Sequence, residues 1–350
     1  MVSEAPPFWW HKPDWRAWGL SPFSLAYGLV ARHRMVHAPR LPLDVPVLCV
    51  GNLTVGGAGK TPVAMALAAE AASMGRRPGI LSRGYGGAFS HPRLVDAEHD
   101  LARHVGDEPL LLARAAPVAV SPDRAAAAKL LREQGCDFLI MDDGFQSARI
   151  RMDHTLIVID AARGIGNGHV IPGGPMRAPL IAQLAYADAV LRLGTGDAAE
   201  LVVRHAARAG RAVYDAALVP RDGERLAGRR FLAFAGIGNP GKFFDSLSDC
   251  GGELAVTRAF PDHHFYSDDE LADLEATARS ADAELITTAK DGVRLRHGSD
   301  AAKSLLERLE VLEIELSFEL DTTPRWIVEA TIEAWRRRRF ETDRRNEPAQ

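Results

Sequence analysis

With 350 residues, 47% of them apolar and 25% charged, the chain is long enough to bury a large core in two domains. A net charge of −4 argues against a general nucleic-acid binder, although basic residues gather near both ends. Cys49, Cys136 and Cys250 lie far apart without a C-x-x-C pair, so neither a disulfide framework nor a zinc site is expected, and a reducing cytoplasm suits them.

The start, Met1 to Pro7, lacks the basic region, apolar stretch and cleavage site of a signal peptide. Residues 8–40 then combine Trp9, Trp10, Trp15 and Trp18 with an apolar stripe through Leu20, Phe23, Leu25, Tyr27, Leu29 and Val30, and with Arg32, Arg34 and Arg40. Two compatible readings stand: a segment seated in the headgroups of an anionic membrane, and a helical hairpin packed on the following domain. The apolar part, 19–31, is too short to span a bilayer.

Next comes the apolar run Val45 to Val50, then Gly51-Asn-Leu-Thr-Val-Gly-Gly-Ala-Gly-Lys-Thr61, then a helical pattern from Pro62. Strand, glycine loop and helix in this order make a phosphate cradle. Gly56, Gly57 and Gly59 let backbone N–H groups turn inward, the helix N-terminus adds positive potential, Lys60 supplies a cation and the Thr61 hydroxyl suits magnesium. Thr54 stands where a Walker A loop has its first glycine.

Pro78 to Ser82 predicts a second strand, which delivers Arg83 and Tyr85 through glycines to the carboxyl edge of a sheet. Val105-Gly-Asp-Glu-Pro109 starts a helix, where Asp107 is either an ordinary helix-end acid or a carboxylate that receives a hydroxyl proton. After a strand at Pro117 to Val120 and an alanine-rich helix beginning near Arg124, Cys136 to Asp143 predicts a buried strand ending in paired carboxylates, as in a Walker B element. Gln146 follows. A strand at Thr155 to Asp160 leads into the glycine- and proline-rich stretch to Arg177, expected to be a binding loop with Arg177 as an anion ligand.

Strands at 187–193 and 212–216 continue the pattern, and 220–230 is the expected linker. Beyond it, strands at 231–235, 253–256, 285–288 and 311–316 predict a smaller α/β unit. Within it, Asp262, His263 and His264 sit between a strand and a helix, without a third ligand at zinc-like spacing. Thr323 opens a last helix that runs into Arg336 to Arg339. The predicted fold is α/β: a P-loop NTPase-like domain with a mostly parallel sheet (41–222) and a second, smaller α/β domain (223–320). A helical segment (1–40) precedes them and a helix with a basic polar tail (321–350) follows.

The motifs Gly51 to Pro62, Ser82 to Gly86, Val105 to Pro109, Asp142-Asp-Gly-Phe-Gln146, Gly236-Ile-Gly-Asn-Pro240 and Lys290-Asp291 together resemble the tetraacyldisaccharide 4'-kinase family of lipid A synthesis. The resemblance spans residue 8 to about residue 335. It implies ATP- and Mg2+-dependent phosphorylation of a lipid A disaccharide precursor at the cytoplasmic face of a bacterial inner membrane, with the N-terminal segment docking on the lipid. No protein partner is inferred.

Asp107 then matches the family's proposed base and His263 its partner, while Thr54 in the loop is normal. Lys60 with the loop at Thr54, Val55, Gly56, Gly57, Ala58 and Gly59 would hold phosphates. Thr61 and Asp143 would hold magnesium, supported by Asp142, and Asn52, Arg83, Tyr85, Arg124, Gln146 and Arg177 would serve the headgroup or nucleotide. Ala178 departs from the family, which carries an acid after the arginine. Two rivals, a GTPase switch and a membrane-positioning ATPase, lack their marks: Thr288-Ala-Lys-Asp291 has the wrong spacing for N-K-x-D, and Val55 replaces the lysine of deviant Walker loops.

Overall fold

The structure, a computed structural model, describes residues 5–84, 91–146 and 149–346. Strands β1 (Val47–Asn52), β2 (Pro78–Ser82), β3 (Arg93–Leu94), β4 (Val118–Val120), β5 (Phe138–Asp142), β6 (His154–Asp160), β7 (Ala189–Leu193) and β8 (Ala212–Pro220) come before residue 221. β9 (Arg230–Ala235), β10 (Glu253–Ala259), β11 (Glu284–Thr288), β12 (Glu310–Leu312) and β13 (Ile314–Phe318) follow. They form a nine-stranded sheet in the order β13-β8-β7-β6-β1-β5-β2-β4-β3 and a four-stranded sheet in the order β10-β9-β11-β12.

Every residue of β1, β2 and β5 is buried, as central parallel strands covered on both faces require. Alternation sends Leu48, Val50, Ile140, Leu156 and Val158 to one face of the large sheet, against the helices Lys60–Ser73 and Thr323–Asn346. Cys49, Ile157 and Val190 face the other side, where Met35 of the helix Ser21–His37 joins them. Among the described residues, only the edge strands β3 and β13 run antiparallel. Strands β5, β2 and β4 lie on one side of β1 and β6, β7 and β8 on the other, so the carboxyl ends of β1 and β6 flank the crevice where open α/β sheets bind ligands.

The stretch 311–316, read from the sequence as one strand of the smaller unit, divides at Glu313. β12 pairs with β11 in the small parallel sheet, whereas β13 returns to pair with β8 in the large one. The last helix buries Ile327, Val328 and Ile332 in the large core, so this end of the chain packs with the large sheet. The expected linker is also more ordered than its polar composition suggests: β8 extends to Pro220, and Gly223–Leu226 form a 3-10 turn.

The N-terminal segment forms a 3-10 turn (Pro7–Trp10) and the helices Trp15–Gly19 and Ser21–His37. The Asp14 carboxylate accepts the Arg16 and Ala17 amides and caps the first helix. On the second helix Ser24, Gly28 and Met35 face the protein, and a side chain at Gly28 would meet Pro179 at 3.4 Å. Phe23, Leu25 and Leu29 are 66%, 66% and 58% exposed. Among the described residues, no helix is long and apolar enough to cross a membrane.

Candidate active site

β1 ends at Asn52, and the loop that follows is braced from behind. The Val55 amide donates to the Pro175 carbonyl at 2.9 Å, the Arg177 amide to Leu53, and Arg177 Nε to the Thr54 carbonyl at 3.0 Å. Asn52 Nδ2 reaches the carbonyls of Thr54 (2.7 Å) and Gly56 (3.4 Å). Gly56 and Gly59 take φ of 98° and 79°, a region that glycine enters without penalty, and a side chain at Gly59 would stand 2.4 Å from Leu193. Among the described residues, the amides from Gly56 to Thr61 have no protein acceptor. A row of open donors at a helix start fits a polyphosphate. Val55, whose N–H is already used, belongs to the brace.

The two aspartates after β5 differ in state. Asp143, in a left-handed conformation (φ 51°), is gripped by Arg177 through Nη1 at 2.6 Å and Nη2 at 3.0 Å, and Lys60 Nζ stands 3.7 Å away. Against the effect of burial, Lys60 and Arg177 hold its pKa down to about 2. Asp142 is buried and, among the described residues, its Oδ1 has no hydrogen-bond partner. Burial, with Glu108 nearby, pushes its pKa up to about 7, although Lys60 opposes the rise. A buried, unpaired carboxylate oxygen beside a phosphate loop is what a hard divalent cation accepts as ligand.

Asp107 opens the helix Asp107–Leu112 but does not act as its cap; that position is Gly106. Its carboxylate instead points across to the smaller domain. His263 Nδ1 lies 3.2 Å from Asp107 Oδ2, and the buried Arg294 donates to the same oxygen through Nε at 3.1 Å and through Nη2. Burial alone raises its pKa, but the His263 hydrogen bond and the charges of Lys290 and Arg294 outweigh it and hold the group well below the usual carboxylate range. His263 is raised in turn, chiefly by its hydrogen bond to Asp107. Beside them Lys290 Nζ meets Glu108 at 2.6 Å; a separate pair joins Lys242 Nζ to Asp160, at the end of β6, at 2.5 Å.

The structure thus gathers Lys60, Asp142, Asp143 and Arg177, and joins Asp107 to His263 between the domains. Several residues expected to meet substrate are built into the framework. Gln146 Nε2 bonds the Asn52 carbonyl and Gln183 Oε1, while Arg124 Nη2 reaches the carbonyls of Asp142 and Asp143 and, among the described residues, Nη1 has no partner. Arg83 is exposed past the end of β2, and Tyr85 falls outside the described residues.

The sequence family described as LpxK, tetraacyldisaccharide-1-P 4'-kinase, matches residues 16–332. The chain belongs to this family. The tetraacyldisaccharide 4'-kinase of Mesorhizobium japonicum is 60% identical over 341 residues, covering 97% of this chain and 99% of that one. That of Brucella anthropi is 54% identical over 338 residues, covering 97% and 99%. Among solved structures, LpxK from Aquifex aeolicus, an "apo" form in complex with ATP, superposes with a TM-score of 0.70 at 24% identity over 90% of this chain and 99% of that one, which establishes a shared fold.

In this family member, sequence reasoning passed over Arg294, Gln183 and the Glu108–Lys290 pair. Arg294 follows Asp291 by three residues on a helix, a spacing that ordinarily marks a solvent-facing ion pair. Gln183, fully buried, ties Gln146 to the carbonyls of Leu53 and Ala178; nothing in its local sequence marks it.

Proposed function

We propose that this chain transfers the γ-phosphoryl group of ATP to the 4'-hydroxyl of a tetraacylated glucosamine disaccharide 1-phosphate, the lipid A precursor. The observation that carries this reading is the convergence of the open P-loop amides, the unpaired Asp142 and the Asp107–His263 pair on one edge of the large sheet, beside the smaller domain. The amides from Gly56 to Thr61 and the Lys60 ammonium bind the β- and γ-phosphates. Thr61 and Asp142 are the residues that would hold magnesium, which when bound neutralises phosphate charge. Asp143 was the expected direct ligand, but with Arg177 and Lys60 already on its carboxylate it serves better to place Lys60.

Asp107 accepts the proton of the sugar hydroxyl as that oxygen bonds to the γ-phosphorus and the bond to the ADP oxygen breaks. Such a transfer depends mainly on alignment and charge stabilisation, so a weakly basic carboxylate suffices if it is correctly aimed. Purified protein with detergent micelles should move label from γ-labelled ATP to the disaccharide lipid. Label found only as free phosphate would overturn the reading. Membership of this family does not favour a switch or positioning protein.

The reading extends to peripheral docking on the cytoplasmic face of the inner membrane. Its support is the exposed apolar surface of Phe23, Leu25 and Leu29 next to the basic turn of Arg32 and Arg34, a pairing that suits anionic lipid. Replacing Phe23, Leu25 and Leu29 together by serine spares the packed Ser24, Gly28 and Met35, and should release the protein from anionic vesicles. Undiminished vesicle binding would remove this helix from the docking role.

A further inference from the structure

Asp107 and His263 come from different domains, so their alignment depends on what ties the domains together at that point. Oδ2 of Asp107 accepts from Arg294 Nε and Nη2 and lies 3.2 Å from His263 Nδ1. Oδ1 accepts the Glu108 amide at 2.9 Å. Arg294 is itself fixed: Nη1 donates to Asp291 Oδ1 at 2.6 Å and to the Gly236 carbonyl at 2.7 Å. That same carbonyl accepts the His263 amide at 3.1 Å, while the Gly236 amide and the Tyr266 hydroxyl donate to Asp291. The Arg294 guanidinium and the His263 backbone amide therefore share one carbonyl of the smaller domain, and the guanidinium and the imidazole converge on one oxygen of the larger. A side chain at Gly236 would stand 3.2 Å from Asp291 Oδ1 and 3.1 Å from His264 Cβ, so the glycine keeps this junction tight.

We propose that Arg294 is a positioning residue for the phosphoryl transfer: anchored on Asp291 and Gly236, its guanidinium fork holds Oδ2 of Asp107 and leaves Oδ1 to face the acceptor hydroxyl. The proposal rests on the reading of Asp107 as proton acceptor. An arginine suits the task because its planar fork fixes a carboxylate in direction as well as in charge state, which the freely rotating ammonium of lysine does not. The fork also keeps the carboxylate ionised. Because the hydroxyl proton leaves late in a loose phosphoryl transfer, little basicity is lost to the reaction and orientation is gained. A buried arginine shared by two carboxylates is an uneconomical way merely to join two domains, since apolar side chains of similar volume are often as stabilising.

The test compares kcat and KM for ATP and for the micellar lipid acceptor in Arg294→Lys, Arg294→Met, Asp107→Ala and the double variant Asp107→Ala/Arg294→Lys. In Arg294→Lys, kcat should fall about 100-fold, as misalignment of a reacting group by about 1 Å does. Both KM values should hold within about threefold, and the double variant should be no slower than Asp107→Ala alone. Arg294→Met removes the cation shared by two buried carboxylates and is recorded with its melting curve; Arg294→Lys keeps the charge and is the deciding comparison. Parent turnover in Arg294→Lys would overturn the proposal, as would a double variant slower than Asp107→Ala by the full factor seen in Arg294→Lys. Parent turnover in Asp107→Ala, whatever Arg294→Lys does, would locate the failure in the assignment of Asp107 itself.

Discussion

The two walls of the cleft are built on opposite electrostatic plans. On the P-loop wall, donors and acceptors are left unmatched: the amides from Gly56 to Thr61 have no protein acceptor among the described residues, and Asp142 Oδ1 is buried without a partner. On the domain-junction wall, Asp107, Arg294, Asp291 and Tyr266 satisfy one another. Unmatched buried groups are costly until a ligand of opposite charge arrives, so they mark where a ligand binds. A saturated network holds its members in one geometry, so it marks where something is aimed.

Breaking the aimed wall should have the largest effect on turnover and little on nucleotide affinity. Asp107→Ala should lower kcat about 1,000-fold, within the range for loss of a general base, with ATP affinity changed less than about twofold in a fluorescent-nucleotide titration. A large loss of ATP affinity would show that the two walls are not separable. The converse change is Gly59→Ala, which forces a side chain onto a φ of 79° and against Leu193. Strain of this kind should weaken nucleotide binding by about 10-fold or more. Unchanged affinity would remove the open amides from phosphate binding.

Asp142→Asn sharpens the contrast because it should stabilise the ligand-free protein while impairing catalysis. The folded pKa of about 7 lies above the ordinary 3.8, so between these values the folded protein holds a proton that the unfolded chain has released. Stability therefore falls as pH rises through that window, and the penalty is complete above it. The variant should melt about 2–4 °C higher than the parent at pH 8 and equally at pH 4. Magnesium with ATP should stabilise the parent more than the variant. A lower melting temperature at pH 8 would mean that Asp142 is paired after all.

The smallest effect is expected at Lys242, half-exposed at 51%, whose partner Asp160 keeps the amides of Ala162 and Arg163 when the lysine is lost. Lys242→Ala should leave kcat within about twofold and cost less than about 1 kcal/mol in stability, a difference that 1 M salt should erase. A tenfold fall in kcat would add this clasp to the aiming machinery.

The P-loop wall was largely legible in the chain because its parts are contiguous: strand, glycine loop, Lys60 and Thr61 lie within fifteen residues of β1, and strand β5 runs directly into its aspartates. Which aspartate stays unpaired was not legible, since the answer depends on Arg177 returning from a loop more than thirty residues away to grip Asp143. At the junction, Asp107 read more readily as a helix-end acid until the family pattern singled it out, and nothing in the sequence reading singled out Arg294.

By itself, then, the sequence determined most of the elements of this protein, because periodicity, glycine placement and the ends of apolar runs are local properties of the chain. It also determined the phosphate loop and the family, because those motifs are short and contiguous. Only the tertiary structure decided that Ile314–Phe318 joins the large sheet and the last helix its core. It alone showed that, among the described residues, Asp142 Oδ1 is left without a hydrogen-bond partner while Asp143 has two partners, and that Arg294 reaches Asp107 across 187 positions of chain. Burial and pairing are set by whatever the fold brings within about 3 Å, and separation along the chain carries no record of that distance.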